Sequence, residues 1–434
     1  MFAINEIACI LGPKSRPKIG LERGKLSKKR LLMAALCFGL TLQSPSLVSS
    51  ADLSSVISGL QKCNPKLLTA SNKVEASVSK VDEVAALKLP TFSISAGGFK
   101  LDSGDNESSA YVEASQPIYS FGKQKSLEAV ALYELDLENA KYRQAVSDHV
   151  SDLVTNLIQR DALVDEIFVL DGIIEQKAEF VAIVERRAEQ GLSSEADLRE
   201  VRSEYLADKS MLAEKELQLK NMDASLNALS CENIEYNGEI LLLLSGFEFQ
   251  NGEVSILNAP SYVVKNAELD LKFAEIDETL KSEMPSIVAK GRVGKSNTDK
   301  TLTSRIGVSI DYQYEGLGRV RKAKISMAKI RAKEAENALK TIKLELNQEA
   351  TSNQSRIKII RDELIPMLQS EVLLAEGKNA SILRLYEASR ASVREVVSNL
   401  NQLKAAKFSV IDATKRLRDA HNFVGNSLGL YAPE

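Results

Sequence analysis

The feature that most constrains this chain is an internal duplication that covers nearly all of its 434 residues. Proline and glycine residues recur at a spacing of about 195 residues: Pro65 and Pro260, Pro90 and Pro285, Gly122 and Gly318. Such a repeat is far longer than the roughly 20–50 residues of a solenoid unit. One whole architecture is therefore used twice, and we divide the chain into a first repeat at 52–231, a linker at 232–259 and a second repeat at 260–434.

Residues 1–51 are typical of a secretory signal with a long basic start. Basic side chains at 25–30 precede an apolar stretch at 31–42, and small residues follow at 48–51. The apolar stretch has the length of a signal core and is too short for a membrane-spanning helix. The sequence predicts an exported protein without a helical membrane anchor.

Composition argues against several classes of function. Charged residues make up 26% of the chain and the formal net charge is −3, so a basic nucleic-acid-binding domain is not expected. The two histidines, His149 and His421, lie apart from any cysteine or carboxylate cluster, which favours structural or surface positions over metal binding. The sequence has no glycine-rich phosphate loop and no evident nucleophile–base pair, so neither an enzyme nor a cofactor site is predicted.

The cysteines leave one possible disulfide. Cys9 and Cys37 belong to the leader, and Cys63 and Cys231 remain in the mature chain. An even pair of cysteines in an exported protein is consistent with a disulfide. Two unpaired thiols remain the alternative.

Each repeat begins with a helical pattern that ends before a proline. These patterns lie at 53–87 and 261–283, ahead of Pro90 and Pro285. A helix ends at such a point because the residue before proline avoids helical geometry.

Much longer helices are predicted in the second half of each repeat. The pattern at 123–191 has no proline and would span about 100 Å at 1.5 Å per residue. Its counterpart at 319–386 contains Pro366, which predicts a kink or a register change. Apolar stripes at 198–229 and 393–417 predict a further helical arm in each repeat.

Between the short and long helices, apolar and polar residues alternate in four segments. They lie at 92–97 and 110–115 in the first repeat and at 287–293 and 305–311 in the second. A period of two predicts strands with one apolar and one polar face. The polar linkers at 100–108 and 295–301 predict hairpin loops.

Four strands in one chain cannot close a barrel, and a lone hairpin is only marginally stable in water. Oligomerisation into one shared barrel would remove the strand edges and turn the apolar face toward lipid. Polar residues would then line a wet lumen: Ser93, Ser95, Glu113, Lys290, Arg292 and Asp311. Aromatic residues at the strand ends would form an interfacial girdle: Tyr119, Phe121, Tyr312 and Tyr314.

From about residue 53 to residue 430 the sequence resembles the TolC family of outer-membrane efflux and type I secretion channels. Residues 116–123, QPIYSFGK, resemble the strand-to-helix junction of that family, and 191–197, GLSSEAD, resemble its helical-tip motif Gly-x-x-Ser/Thr-x-x-Asp. The resemblance implies a mainly α fold with a small β part. It also implies a homotrimer, whose twelve-stranded barrel in the outer-membrane lipid continues into a periplasmic α-helical barrel. The linker and the C-terminus would form a belt around that tunnel.

The function implied by the resemblance is a passive exit duct of a tripartite efflux or type I secretion system. Its partners would be a periplasmic adaptor and an inner-membrane pump of the ABC or antiporter type. The adaptor-docking tips would include these residues: Gly191, Leu192, Ser194, Asp197, Ser389 and Ser392.

The second tip departs from the family pattern, in which it supplies the periplasmic gate. Ser389 replaces glycine, and Glu395 takes the place of the acidic residue that narrows the entrance. Tyr386 matches the gate tyrosine, but Ala391 stands at the gate arginine. Arg390 or Arg394 could replace that arginine by bonding to Asp197, or both could lie on a solvated helix face.

Two other functions fit part of the pattern. A periplasmic adaptor is also exported and has a long helical hairpin, but it would carry one hairpin beside glycine-rich β domains. A non-membrane coiled-coil scaffold would explain the helices but neither the signal nor the strands.

Overall fold

The computed structural model describes residues 63–100, 106–230, 256–296, 301–312 and 315–431. The predicted signal, most of the linker at 232–259, Cys231 and Tyr314 lie outside these ranges. No helix within the described ranges is long and apolar enough to cross a membrane.

The order of elements is helix, β-hairpin, long helix and helix, and it occurs twice as predicted. The α-helices are α1 (Pro65–Ala86), α2 (Lys123–Glu189), α3 (Glu195–Ser230), α4 (Pro260–Lys281), α5 (Arg319–Ile359), α6 (Ile365–Glu387) and α7 (Val393–Ser427). The strands are β1 (Thr91–Lys100), β2 (Asn106–Tyr119), β3 (Ser286–Ser296) and β4 (Thr303–Asp311). Short 3₁₀ turns lie at Ile256–Asn258 and Glu315–Gly318.

The repeated glycines and prolines hold equivalent positions in the two halves. Pro65 and Pro260 occupy the first turn of α1 and α4, where a missing N–H costs nothing. Gly122 and Gly318 precede the long helices α2 and α5 with φ of 85° and 79°. This left-handed conformation is freely available only to glycine, which explains why both halves use it where a strand turns into a helix.

The second long helix changes register just before Pro366, where the sequence predicts a kink or a register change. Residues Ile360–Leu364 form a π-helical turn, and the N–H of Ile365 donates to the carbonyl of Ile360. Pro366 follows immediately and has no N–H to give to a normal α-helical bond. The insertion of one residue into the turn lets α6 continue from α5 without a break.

The four strands form one antiparallel sheet in the order β1-β2-β3-β4. The register places Ile94, Val112 and Val293 in one cross-strand row on the apolar face. All four strands are longer than predicted, and in the first hairpin β1 reaches Lys100 and β2 begins at Asn106. The first hairpin loop is therefore shorter than the predicted 100–108.

The apolar face of the sheet is uncovered within one chain. Ile94 is 83% exposed and Ile306 is 94% exposed, and Phe92, Val308 and Ile310 are exposed as well. β1 and β4 each pair on one side only. One chain therefore leaves both an apolar sheet face and two strand edges without protein partners.

Below the sheet, the helices pack side by side. α1 lies against α2, α2 against α4, and α4 against α5. Further along, α2 pairs with α3, α6 pairs with α7, and α2 joins the two pairs by packing on α7. One apolar core lies near the turns that join α2 to α3 and α6 to α7, and it contains Phe180, Val184, Val201, Val396 and Leu400.

Cys63 is disulfide-bonded, and its partner lies outside the described residues. His149 lies close by: its Nε2 is 2.7 Å from the side-chain nitrogen of Asn64, and the same atom is 3.4 Å from the carbonyl of Leu229. His149 therefore joins the residue after Cys63 to a residue two positions before Cys231. It is buried in these contacts, which gives it a structural role.

Candidate functional site

The turn that joins α2 to α3, residues 190–194, is called the first tip. The N–H of Leu192 donates to the carbonyl of Arg187 over 2.8 Å, and that of Gly191 to the carbonyl of Ala188 over 2.9 Å. This is the Schellman pattern of a helix end. Gly191 has φ of +70°, and open space lies where a side chain would be. Backbone geometry, rather than crowding, therefore requires glycine here.

The start of α3 is fixed by a reciprocal cap. The hydroxyl of Ser194 accepts a bond of 3.0 Å from the N–H of Asp197, whose carboxylate accepts one of 3.2 Å from the N–H of Ser194. Such a box satisfies two free N–H groups at the positive end of the helix. Leu192 stands at the apex and is 64% exposed. The first tip is thus a rigid turn with one apolar side chain at its outer end.

The turn that joins α6 to α7, residues 388–392, is called the second tip and has the same bonds. The N–H groups of Ser389 and Arg390 donate to the carbonyls of Tyr386 and Leu385 over 2.9 and 2.7 Å. Ser389 has φ of +59°, so serine adopts the left-handed conformation that the family pattern gives to glycine. This conformation costs a non-glycine residue roughly 1–2 kcal/mol, so contacts with the surrounding residues must offset that cost.

Arg187 of α2 supplies contacts that hold the second tip in place. Its guanidinium donates to the hydroxyl of Ser389 over 2.7 Å and to the carbonyls of Glu387 and Tyr386 over 3.1 and 3.3 Å. Its charge also lies 4.9 Å from the centre of the Tyr386 ring. A cation at the C-terminal end of α6 is favoured by the helix dipole. The helical hairpin formed by α2 and α3 therefore stabilises the turn of the helical hairpin formed by α6 and α7.

The residues at the start of α7 form a second capping box. Glu395 accepts bonds from the N–H and the hydroxyl of Ser392 over 2.7 and 3.1 Å, and the N–H of Glu395 donates back to the Ser392 hydroxyl. The bond from the backbone N–H of Ser392 is the main reason that the pKa of Glu395 lies below its usual value. Within one chain, Glu395 is a capping carboxylate.

A buried polar cluster, further along the helices from the tips, connects the α2–α3 hairpin to α7 of the α6–α7 hairpin. Lys177 of α2 has no exposed side-chain surface, and its Nζ lies 2.7 Å from the Asp208 carboxylate of α3. The same carboxylate lies 2.6 Å from Nζ of Lys404 on α7. Asn401 accepts from Lys177 over 2.9 Å and donates to Glu204 over 3.0 Å. That hydrogen bond, together with the charge of Lys177, lowers the pKa of Glu204.

Residues 56–231 match the family described as outer membrane efflux protein. With this match over its first repeat, the chain resembles a TolC-family outer-membrane channel. It forms an efflux duct of the outer membrane that extends into the periplasm. Helices of about 100 Å, such as α2, provide that extension. No curated protein matches the sequence.

Solved structures of outer-membrane channels share the fold. CusC is 16% identical with a TM-score of 0.76, and the match covers 87% of this chain and 92% of CusC. VceC from Vibrio cholerae is 13% identical with a TM-score of 0.73, covering 87% of this chain and 96% of VceC. CmeC from Campylobacter jejuni is 16% identical with a TM-score of 0.72, and the match covers 87% of this chain and 85% of CmeC. At such identities the likeness establishes the fold.

The predicted gate residues of this efflux protein occupy different environments. Tyr386 is 5% exposed, and its ring meets the ring of Phe180 edge-on at 5.0 Å. Its hydroxyl has no hydrogen-bond partner among the described atoms. Arg394 pairs with Glu200 of α3 over 3.3 Å, while the side chain of Arg390 is exposed. Neither arginine bonds to Asp197 within the described chain.

Two structural features around the tips escaped the sequence reasoning. Arg187 was missed because the residues it contacts lie about 200 positions away in the sequence. Lys177 was missed because lysine is rarely fully buried, so a lone lysine in a helical pattern gives no signal of a buried role. Its position in the apolar stripe that includes Ile173, Ile174 and Phe180 was a signal that could have found it.

Proposed function

We propose that three copies of this efflux protein close one twelve-stranded barrel, which continues into a helical tunnel whose tips bind a periplasmic adaptor. The adaptor would in turn couple the duct to an inner-membrane pump of the ABC or antiporter type. The observation that carries the proposal is the four-stranded sheet with an exposed apolar face and two unpaired edge strands.

Strand length and side-chain order support insertion of this sheet into lipid. The strands contain 10, 14, 11 and 9 residues, and a tilted transmembrane strand needs about 9–11. The central rows on the exposed face carry apolar or small residues, as a lipid-facing surface requires, whereas the register places Lys100 and Lys295 on this face near the hairpin loops. Tyr119 ends β2 and Tyr312 follows β4, which places aromatic rings at one boundary of the band.

Ring closure is supported by where the open edges lie. β1 and α1 are at one side of their layers, and β4 and α5 are at the other. A head-to-tail contact between opposite edges produces a closed ring when the rotation per subunit is right. Three subunits with four strands each would give an even-numbered barrel without edges.

Substitution of one residue on each face of β1 tests the membrane assignment. Ile94→Lys places a charge on the apolar face, where a lysine near the middle of the bilayer costs about 2–4 kcal/mol in each copy. We expect this variant to be lost from outer-membrane fractions and from heat-sensitive trimers on gels. Ser93→Lys, the neighbouring residue on the polar face, should assemble normally. Equal behaviour of the two variants, or recovery of the wild type as a periplasmic monomer, would contradict the proposal.

The tips are proposed as the adaptor-docking surface. Gly191 and Leu192 form an exposed turn, held by the capping residues Ser194 and Asp197 and flanked in the assembly by Ser389 and Ser392 of the second tip. Gly191→Val would force a β-branched residue into a left-handed conformation and deform that turn. Transport should be abolished while trimers still form. Unchanged export would argue against docking at this tip.

The periplasmic entrance is proposed to be formed by Tyr386, Arg390, Arg394 and Glu395. In a trimer, three copies of Glu395 at a narrow mouth would concentrate negative potential and favour cations. Glu395→Gln should weaken cation selectivity and block by divalent ions in planar-bilayer recordings. Selectivity that stayed the same in this variant would restrict Glu395 to its capping role.

A further inference from the structure

Two arginines face each other on the polar side of the sheet, and Glu113, the carboxylate opposite Arg292 on β2, forms no ion pair with either of them in the described part of the chain. Arg292 of β3 is the direct cross-strand neighbour of Arg305 of β4. Neither forms an ion pair in the described part of the chain, whereas nearby Lys290 is paired with Asp311 at 3.2 Å. Like charges directly opposite in a sheet are destabilising. Their unpaired guanidinium groups are therefore available to an external anion.

The surface beneath Arg292 fixes its orientation. Gly294 pairs with Tyr111 of β2, and a side-chain carbon on Gly294 would lie only 2.4 Å from Cβ of Tyr111 and 2.6 Å from the carbonyl of Ala110. The guanidinium carbon of Arg292 lies 3.2 Å from the centre of the Tyr111 ring. A stacked guanidinium keeps its N–H groups free at its edge, in the fork that binds oxyanions.

Both arginines line one cavity of about 170 Å³. Its lining also includes the polar residues Ser109, Tyr111 and Thr303. These residues share the polar face of the sheet by register. The cavity lies toward the hairpin loops and away from the helices, because Gly294 is close to the loop end of β3.

We propose that Arg292 and Arg305 form a binding site for small oxyanions, such as phosphate, sulfate or carboxylate groups, on the lumenal wall near the outer end of the duct. This inference rests on the proposed barrel, which would turn the polar face inward. The ligand comes from the lumen rather than from lipid, because lipid would contact the opposite face, which carries Ile94 and Ile306.

In the assembled trimer, the edge strand of the neighbouring subunit would not supply a carboxylate to neutralise the site. β4 would pair with β1 of the next copy, and β1 (Thr91–Lys100) contains no aspartate or glutamate. No register of that pairing supplies a carboxylate to Arg305. Glu113 is the single carboxylate in the row that contains both arginines. Each trimer would thus present twice as many guanidinium groups as carboxylates in this ring.

Binding of inorganic pyrophosphate to the purified detergent-solubilised protein, measured by calorimetry, tests the site. Arg292→Gln and Arg305→Gln should each weaken binding about ten- to hundredfold, as expected for loss of a charge-assisted hydrogen-bonding group. Lys290→Gln removes a charge of the same sign from the same face and should leave the affinity unchanged. Arg292→Lys keeps the charge but not the fork, and should fall between these values.

Three results would overturn the site. One is wild-type protein that binds no pyrophosphate, as expected if aspartates of the hairpin loops neutralise the arginines. Another is an equal loss of affinity in Lys290→Gln, which would mean a general charge effect. The third is arginine-dependent binding to anionic lipid vesicles, which would make lipid the ligand. Failure of the proposed barrel is distinguishable, since the wild type would then not form trimers in the membrane, whatever its affinity for pyrophosphate.

Discussion

Arg187→Ala tests whether the second tip depends on a contact from the first hairpin. The substitution removes hydrogen bonds of 2.7, 3.1 and 3.3 Å to the second tip and the cation over the Tyr386 ring. It leaves Ser389 in a left-handed turn without its side-chain partner. We expect that turn to open more often, while the rest of α6 and α7 keeps its structure.

The expected magnitude follows from these contacts. A hydrogen bond from a charged donor contributes about 1.5–3 kcal/mol, and partial exposure of Arg187 reduces this through solvent screening. We therefore assign about 2 kcal/mol to the three bonds together. Opening of the turn should become about thirtyfold more frequent, at 1.36 kcal/mol per tenfold change.

Hydrogen exchange measures this opening directly. The amides of Ser389 and Arg390 donate the bonds that close the second tip, so their exchange should accelerate about thirtyfold. The equivalent amides of Gly191 and Leu192 in the first tip should be unaffected.

Two variants serve as controls for this measurement. Arg186→Ala removes an arginine whose side chain, among the described residues, bonds to the carbonyl of Ala182 in its own helix and to no residue of the second tip, so it should change nothing. In Ser389→Gly, Arg187→Ala should have a smaller effect, since glycine needs no support at positive φ. Unchanged exchange in Arg187→Ala, or equal acceleration at both tips, would refute the reasoning.

Further outcomes are expected at three other places. Non-reducing peptide mapping should link Cys63 to Cys231, and reduction should destabilise the chain by about 5 kcal/mol for a loop of this length; a different partner for Cys63 would contradict the pairing. Asp208→Ala should destabilise by about 3 kcal/mol in urea unfolding because the buried Lys177 loses its closest carboxylate and keeps Glu204 only at 3.4 Å, whereas combining it with Lys177→Met should recover much of the loss. The cap made by Glu395 should be intact above the ordinary carboxyl pKa and be lost as the pH falls through its lowered pKa; amide exchange at the start of α7, corrected for intrinsic rates, should show this dependence in the wild type but not in Glu395→Gln.

Local signals in the sequence predicted most of the fold. The alternation of apolar and polar residues located all four strands, and Pro366 marked the register change now seen as a π-helical turn. Strand ends were less accurate, because Lys100 and Asn106 are polar and resemble loop residues, although their backbones pair. Pairing of a strand end depends on its partner strand, which local composition does not encode.

The candidate site was only partly predictable. Ser194 with Asp197, and Ser392 with Glu395, have the spacing of a helix cap, and that spacing is local. The left-handed turn at Ser389 and the contacts of Arg187 depend on two hairpins meeting in space. The burial of Lys177 likewise depends on Asp208 and Lys404, which come from other helices.

The central claim, that the apolar face of the sheet lies in the outer-membrane bilayer, is tested most directly by a nitroxide scan of residues 92–97 in β1. Each position would carry one spin label in reconstituted protein, and collision with oxygen would be compared with collision with a water-soluble nickel complex. The account predicts a period of two, with lipid exposure at Phe92, Ile94 and Ala96 and water exposure at Ser93 and Ser95. Water exposure at all positions, without alternation, would contradict it.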